Sequence, residues 1–210
     1  MSSGLVLTDV VIGLSGRELL SVTHGIEPGE KLTLMGPSGS GKSSLLAYIG
    51  GFLGPAFAAS GDVHLEGRNI VDLPAHQRHT GILFQDPLLF PHMSVGQNLL
   101  FALPEKVKGA ERRAKADAAL AQADLAGFFD RDPATLSGGQ KARVALMRVL
   151  LAEPTALLLD EPFSKLDAGL RDSVRRFVFS EAERQMLPVL LVTHDEADAE
   201  AAGGTVIRLS

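Results

Sequence analysis

The sequence of 210 residues contains no cysteine. Without cysteine the chain can form neither a disulfide nor a zinc site with thiolate ligands. It also has no excess of basic residues, because 25 Asp and Glu outnumber 20 Lys and Arg and give a net charge of −5. Non-specific binding to nucleic acid depends on clustered Lys and Arg, so we expect no nucleic-acid partner.

Long apolar runs are absent as well. No stretch approaches the roughly 18 apolar residues that a membrane-spanning helix needs. Residues 1–4 lack the basic and then apolar layout that begins a signal peptide. We therefore expect a chain that is soluble when expressed alone and that reaches a membrane only through a partner.

Short apolar runs alternate with helical patterns, which favours an α/β fold. Strands are predicted at 5–12, 32–35, 62–65, 80–84, 156–159, 189–192 and 205–209, and helices at 43–50, 111–125, 138–152 and 168–186. The runs at 156–159 and 189–192 are apolar throughout, as parallel strands covered on both faces are.

A charged, alanine-rich segment interrupts this pattern. Opposite charges lie four residues apart at Glu111 and Lys115 and at Arg113 and Asp117, which favours an exposed helix. We expect one domain, 1–210, whose α/β core is formed by 1–93 and 136–210 and whose mostly helical insertion spans about 94–135.

Residues 36–43 read Gly-Pro-Ser-Gly-Ser-Gly-Lys-Ser and match the phosphate-binding pattern G-x-x-x-x-G-K-[S/T] in full. Glycines let backbone N–H groups surround phosphate oxygens, and the following helix N-terminus attracts negative charge. Lys42 would reach the β- and γ-phosphates, and the Ser43 hydroxyl would bind Mg²⁺. A plain Gly/Ser turn is the alternative, but a strand before and a helix after favour the phosphate loop. The predicted nucleotide-binding residues here are Gly36, Pro37, Ser38, Gly39, Ser40, Gly41, Lys42, Ser43 and Ser44.

Two carboxylates, Asp160 and Glu161, end the predicted strand at 156–159. Ligands of open α/β sheets bind at the carboxyl ends of the strands. Asp160 would hold Mg²⁺, and Glu161 would orient and polarise the attacking water. By itself the pair could be an acidic turn before Pro162, but the phosphate loop makes the metal and water roles the better interpretation.

A second glycine motif, Leu136-Ser137-Gly138-Gly139-Gln140, precedes a helical pattern. Ser137 and Gln140 fit a capping box at a helix start. Two successive glycines are poor helix formers, so they also suggest that something approaches the backbone closely, such as an anion at the helix N-terminus.

This motif resembles the signature of the ATP-binding cassette (ABC) family, and further motifs follow that family's order. Gln85 is placed like its Q-loop glutamine, 164–167 resembles its D-loop with Lys165 where alanine is commoner, and His194 resembles its switch histidine. The resemblance runs from about residue 5 to 210. It implies a P-loop NTPase with a RecA-like parallel sheet core, an N-terminal antiparallel β-subdomain and a helical α-subdomain.

In that family two domains form a head-to-tail sandwich around ATP. The resemblance adds Ser137, Gly138, Gly139 and Gln140 to the nucleotide-binding set, with Ser137 and Gly139 contacting the γ-phosphate of the partner's ATP. Asp167 would link the two sites across the dimer. The implied catalytic residues are Glu161, His194, Gln85 and Lys42, and the implied metal ligands are Ser43, Gln85 and Asp160.

Two further features concern ligands and partners. Leu14 stands where the family usually stacks adenine on an aromatic residue, so adenine would meet an aliphatic surface. The apolar loop 87–93 would receive a cytoplasmic helix of a membrane subunit. Ordinary packing between subdomains explains this loop equally well.

The resemblance is greatest to bacterial importer subunits. It implies an ATPase that works as a homodimer and powers import of a small solute, with integral membrane permease subunits and a solute-binding protein. The chain would then lie at the cytoplasmic face of the inner membrane as a peripheral subunit. An ATPase of DNA repair or translation, or a nucleotide-binding module without hydrolysis, remains an alternative.

Overall fold

The computed structural model describes residues 4–209. The strands are β1 (Leu5–Leu14), β2 (Arg17–Ile26), β3 (Lys31–Met35), β4 (Phe57–Leu65), β5 (Arg68–Asn69), β6 (Thr80–Leu83), β7 (Ala156–Asp160), β8 (Val189–Thr193) and β9 (Thr205–Arg208). The helices are α1 (Lys42–Gly50), α2 (Val95–Ala102), α3 (Ala110–Gln122), α4 (Gly138–Leu151), α5 (Ala168–Arg184) and α6 (Glu196–Ala202), with 3-10 turns at Ala75–Gln77 and Pro133–Thr135.

These elements form two compact units. The first comprises the chain up to residue 82, residues 155–161 and the chain from residue 179 onward. The second comprises residues 83–154 and 162–178. The helical insertion that we predict at 94–135 lies within the second unit, and its boundaries stay a prediction.

A five-stranded sheet in the order β6-β7-β8-β3-β9 forms the centre of the first unit. Strand β3 runs parallel to β8 and β9, and β7 runs parallel to β8. The apolar runs of β7 and β8 are fully buried, as strands covered on both faces must be. The predicted α/β fold with a parallel core is therefore confirmed.

The first unit also contains an antiparallel sheet in the order β2-β1-β4-β5. Strands β1 and β2 are joined at Ser15 and Gly16, both of which have positive φ. Apolar side chains of this sheet share one core with α1 and with β3, β7 and β8. Strand β2 has no counterpart among the strands that we predict from the sequence, because polar residues interrupt its apolar alternation.

The parallel pairing brings the segments that carry the predicted site residues to one edge of the central sheet. The carboxyl ends of β3, β7 and β8 lie along one edge, because the three strands run in the same direction. Residues 36–43 follow β3, Asp160 and Glu161 lie at the end of β7, and His194 follows β8. Ligands of open α/β sheets bind at this edge.

The second unit is mainly helical. Helix α2 begins at Ser94 with a capping box that Gln97 completes, and it packs against α3 and α4. Both predicted ion pairs form on the exposed face of α3, from Glu111 to Lys115 and from Arg113 to Asp117. Across residues 4–209, no helix combines the length and apolar character needed to cross a bilayer.

Candidate functional site

The phosphate loop joins β3 to α1 in the way that the sequence predicts. Gly41 has a φ of 87°, a conformation that favours glycine, and a Cβ there would lie only 3.0 Å from Leu19 Cβ. At Gly36 a Cβ would lie 2.9 Å from the Leu209 Cβ. The loop backbone is therefore held close to its neighbours, and its N–H groups precede the start of α1.

Lys42 occupies the centre of this loop and is only 5% exposed. Its Nζ donates hydrogen bonds to the carbonyl oxygens of Gly36 and Pro37, each at 2.8 Å. Burial lowers the pKa of Lys42, while the nearby carboxylates of Glu161 and Asp160 oppose that shift. The ammonium group is thus desolvated and positioned beside the loop, where a phosphate oxygen could replace a carbonyl as its acceptor.

Ser43 and Asp160 connect the phosphate loop to the end of β7. The Ser43 hydroxyl donates a hydrogen bond of 2.7 Å to Asp160 Oδ1. Burial raises the pKa of Asp160, Glu161 raises it further, and the Ser43 hydrogen bond and Lys42 lower it. Two hard oxygen donors therefore meet at the strand edge, and either could bind a divalent cation.

Glu161 and His194 contact each other beside this pair. The Glu161 Oε1 lies 3.1 Å from the His194 Nδ1. The backbone of Glu161 has a φ of 45°, and its N–H donates to the Val192 carbonyl oxygen at 2.9 Å. Such strained conformations of non-glycine residues cluster at functional sites. His194 also lines a pocket with Gly36 and Pro37, so it faces the phosphate loop.

A pocket in the first unit extends from the phosphate loop to the antiparallel sheet. Its lining residues are Leu14, Leu19, Ser38, Gly39, Gly41, Lys42, Ser43, Ser44, Phe57 and Glu161. Leu14 thus lines the same pocket as the phosphate loop, and its predicted contact with the nucleobase stays a prediction. Phe57, by contrast, is not among the predicted site residues, because its place beside Leu14 depends on the pairing of β1 with β4.

The second glycine motif lies in the second unit, at the start of α4. Ser137 caps the helix, since its Oγ accepts from the Gln140 N–H at 3.3 Å and the Gln140 Oε1 accepts from the Ser137 N–H at 3.0 Å. The capping-box interpretation is therefore correct as a description of local structure. Ser137 and Gly138 are nevertheless exposed, so the helix start is accessible to an outside group.

Gln85 is exposed and also lies in the second unit. It lines a pocket there with Gly138, Lys141 and Lys165. Lys165, which departs from the commoner alanine, forms an ion pair of 2.6 Å with Asp86. Sequence spacing gave no signal for this pair, which joins residues 79 positions apart. The predicted contacts of Gln85 with metal and water stay a prediction.

Side-chain hydrogen bonds hold the backbone of the apolar loop 87–93 within the second unit. Asn98, which is fully buried, accepts from the Phe90 N–H at 2.8 Å and donates to the Phe90 carbonyl oxygen at 3.1 Å. Arg148 donates to the carbonyl oxygens of Leu88 and Pro87 at 2.9 and 3.2 Å. Burial lowers the pKa of Arg148. Neither Asn98 nor Arg148 belongs to a motif, so the sequence alone did not indicate their roles.

Comparison with known proteins shows similarity to ABC transporter ATP-binding proteins. The family model described as ABC transporter matches residues 19–164. The uncharacterized ABC transporter ATP-binding protein YnjD of Escherichia coli (strain K12) is 54% identical over 185 residues, which are 88% of this chain and 85% of that protein. The Fe(3+) ions import ATP-binding protein FbpC 3 of Rhodococcus jostii (strain RHA1) is 42% identical over 100% of this chain and 60% of its own length.

Two further relatives extend the comparison. The spermidine/putrescine import ATP-binding protein PotA of Bacillus cereus (strain ATCC 14579) is 39% identical over 88% of this chain and 56% of its own length. A solved dimer of the ATP-binding cassette MJ0796, in a post-hydrolysis state with ADP and Pi, is 31% identical with a TM-score of 0.80. That match covers 98% of this chain and 94% of the solved chain.

The position of Lys42 leads to a first prediction. Replacing Lys42 with alanine removes a buried charged donor, and hydrogen bonds to charged groups contribute about 1.5–3 kcal/mol. We expect calorimetry to show pyrophosphate binding weakened about tenfold or more. Arg68→Ala is the matched control, because it removes one exposed positive charge from the same unit. Equal affinity in Lys42→Ala and the wild-type chain would refute the role of Lys42.

Proposed function

The chain belongs to the ABC transporter family as an ATP-hydrolysing subunit, and we propose that two copies of it act head to tail to drive import of a small solute through a membrane permease. The observation that carries this proposal is the meeting of the phosphate loop, Asp160, Glu161 and His194 at one edge of the parallel sheet. A phosphate-binding loop beside two carboxylates suits hydrolysis of a nucleotide rather than binding alone.

We propose Mg²⁺ as the metal at this site. The donors, a hydroxyl on Ser43 and a carboxylate on Asp160, are the hard oxygen ligands that Mg²⁺ takes. Among residues 4–209, no group of three or more His, Cys, Asp or Glu is arranged to hold a metal. Such a sparse protein contribution is typical of Mg²⁺ sites completed by substrate phosphates and water. When bound, the ion neutralises phosphate charge.

Glu161 is the residue that we propose to activate the attacking water. Its carboxylate would accept a hydrogen bond from the water and take its proton, while the water oxygen forms a bond to the γ-phosphorus. The bond from the γ-phosphorus to the bridging oxygen breaks, and ADP leaves with that electron pair while Lys42 offsets its charge. His194, now 3.1 Å from Glu161, would exchange this partner for a γ-phosphate oxygen.

The start of α4 supports the head-to-tail arrangement. A Cβ added at Gly138 would lie 3.6 Å from Leu166, and one at Gly139 would lie 3.5 Å from Leu170 and Val174. These are ordinary contact distances, so packing within the chain does not require either glycine. Glycine is a poorer helix former than alanine, by about 1 kcal/mol in a helix interior. An outside phosphate that approaches the bare N–H groups of α4 explains the use of both glycines.

The direction of transport rests on relatives. The proteins named above for import of Fe(3+) ions and of spermidine/putrescine support import by this chain. The chain spans only 60% and 56% of their lengths, so we propose no more than a small solute as cargo, delivered by a solute-binding protein. An ATPase of DNA repair or translation is not favoured, because the curated relatives named above are transport proteins.

A permease would hold the chain at the cytoplasmic face of the inner membrane. We propose that it contacts an apolar surface formed by Leu88, Phe90 and Phe101 in the second unit. Leu88 is 56% exposed and Phe101 is 65% exposed, and the Phe90 and Phe101 rings meet edge to face at 5.0 Å. The hydrogen bonds from Asn98 and Arg148 fix the loop beneath this surface. An exposed apolar patch of this kind is typical of a docking site.

The proposed role of Glu161 predicts the behaviour of Glu161→Gln. The amide keeps the size of the side chain but cannot take a proton, so we expect ATP turnover to fall by about 100-fold or more. Binding of ADP should stay unchanged, because the phosphate loop is intact. Glu66→Gln, in an exposed turn, is the control. Turnover by Glu161→Gln at the wild-type rate would show that Glu161 is not the base.

The docking surface predicts a crosslinking pattern. The chain has no cysteine, so each introduced cysteine is its only thiol. We expect Leu88→Cys and Phe101→Cys to crosslink to the membrane subunit that copurifies with the chain, and exposed Lys108→Cys to remain uncrosslinked. Crosslinks from position 108 with none from 88 and 101 would place the permease elsewhere.

A further inference from the structure

We infer that Phe57 provides the aromatic surface on which the nucleobase stacks, in place of the aromatic residue that is missing at position 14. This inference rests on the proposed nucleotide site and adds a residue to it. Phe57 is the first residue of β4, and its Cα is paired with that of Leu14 across the antiparallel register. Both side chains line the pocket that contains the phosphate loop.

The strand pairing places the two side chains on the same face. Directly opposite residues of an antiparallel pair point to one side of the sheet, with Cβ atoms about 4.5–5.5 Å apart. An aromatic residue on β4 can therefore cover the same space as an aromatic residue at position 14 on β1. Strand β1 carries Leu14 at this position, and the aromatic side chain stands on the neighbouring strand instead.

Packing holds Phe57 while leaving part of it accessible. The side chain is half-buried and packs against the hydrophobic core that contains Ile12 and Leu46. Its backbone N–H donates to the Gly54 carbonyl oxygen at 3.1 Å, which fixes the start of the strand. A ring supported on one side in this way loses little conformational freedom when a base covers its other side.

The pocket combines an apolar surface, which suits a nucleobase, with a positively charged surface, which suits phosphates. Leu14, Leu19 and Phe57 form an apolar wall, and the phosphate loop and Lys42 form a polar, positively charged floor. Leu19 contacts the position of Gly41, so the wall and the floor adjoin. Of the residues lining this pocket, Phe57 alone is aromatic. The base would thus stack on Phe57 while Leu14 and Leu19 cover its edges.

A comparison of two ligands separates the base from the phosphates. ADP carries both, whereas pyrophosphate carries no base. Stacking of a base on an aromatic side chain contributes about 1–3 kcal/mol by alanine substitution, so we expect Phe57→Ala to weaken ADP binding about tenfold. Pyrophosphate affinity, measured by calorimetry in the same buffer, should be unchanged.

Two matched variants sharpen this test. Phe52→Ala removes a phenylalanine that is 46% exposed, packs near Gly50 and does not line the pocket, so its ADP affinity should equal that of the wild-type chain. Phe57→Leu keeps apolar volume in the core contact but has no aromatic face. It should therefore fold normally and still lose ADP affinity.

A spectroscopic variant gives a direct signal. The chain contains no tryptophan, so Phe57→Trp places the only indole at the proposed stacking position. We expect ADP to quench its fluorescence and pyrophosphate to leave the fluorescence unchanged.

Three results would overturn the inference: wild-type ADP affinity in Phe57→Leu, an equal loss of ADP and pyrophosphate affinity in Phe57→Ala, or no change in indole emission at saturating ADP. Failure of the nucleotide site itself would look different, because the wild-type chain would then bind neither ligand.

Discussion

The hydrogen bond from Ser43 to Asp160 is the contact on which the rest of the site depends. It joins the first turn of α1 to the end of β7 over a distance of 2.7 Å, across 117 positions of sequence. It can form only because β3, β8 and β7 run parallel and bring their carboxyl ends to one edge. Burial at this edge raises the pKa of Asp160 and lowers that of Lys42, so each group gains from a partner of opposite charge. A bound phosphate would supply the negative partner for Lys42, and a bound cation would supply the positive partner for Asp160.

The start of α4 is the second place in the chain where we propose that a phosphate binds. The start of α4 is capped correctly by Ser137 and Gln140, yet it keeps two glycines where a Cβ would have room. Packing would tolerate alanine at both positions, and alanine would stabilise the helix. We propose that the two glycines serve a ligand that comes close to the backbone. In the proposed dimer that ligand is the γ-phosphate bound by the other copy, so each chain contributes half of each site.

Sequence reasoning succeeded where the signal is local. A few successive residues are enough to recognise each of three features: the phosphate loop, the acidic pair after β7 and the parallel apolar strands. The structure contains all three. It failed where a feature depends on pairing between distant segments. The apolar alternation of β2 is interrupted by polar residues, α6 is only seven residues long, and Phe57 acquires its place through the register with Leu14. The sequence also gives no indication of the role of Asn98, because that role depends on hydrogen bonds to backbone groups of the loop 87–93.

Complementation between two inactive variants tests the shared site most directly. Lys42→Ala disables the phosphate loop and leaves α4 intact. Ser137→Asp keeps a residue that caps helices well but sets a carboxylate against the incoming phosphate. Each variant alone should hydrolyse ATP very slowly, while a mixed dimer has one intact site made of the loop from one chain and α4 from the other. We expect the mixture to hydrolyse ATP faster than the sum of the rates of the separate variants. A rate equal to that sum would contradict the composite site.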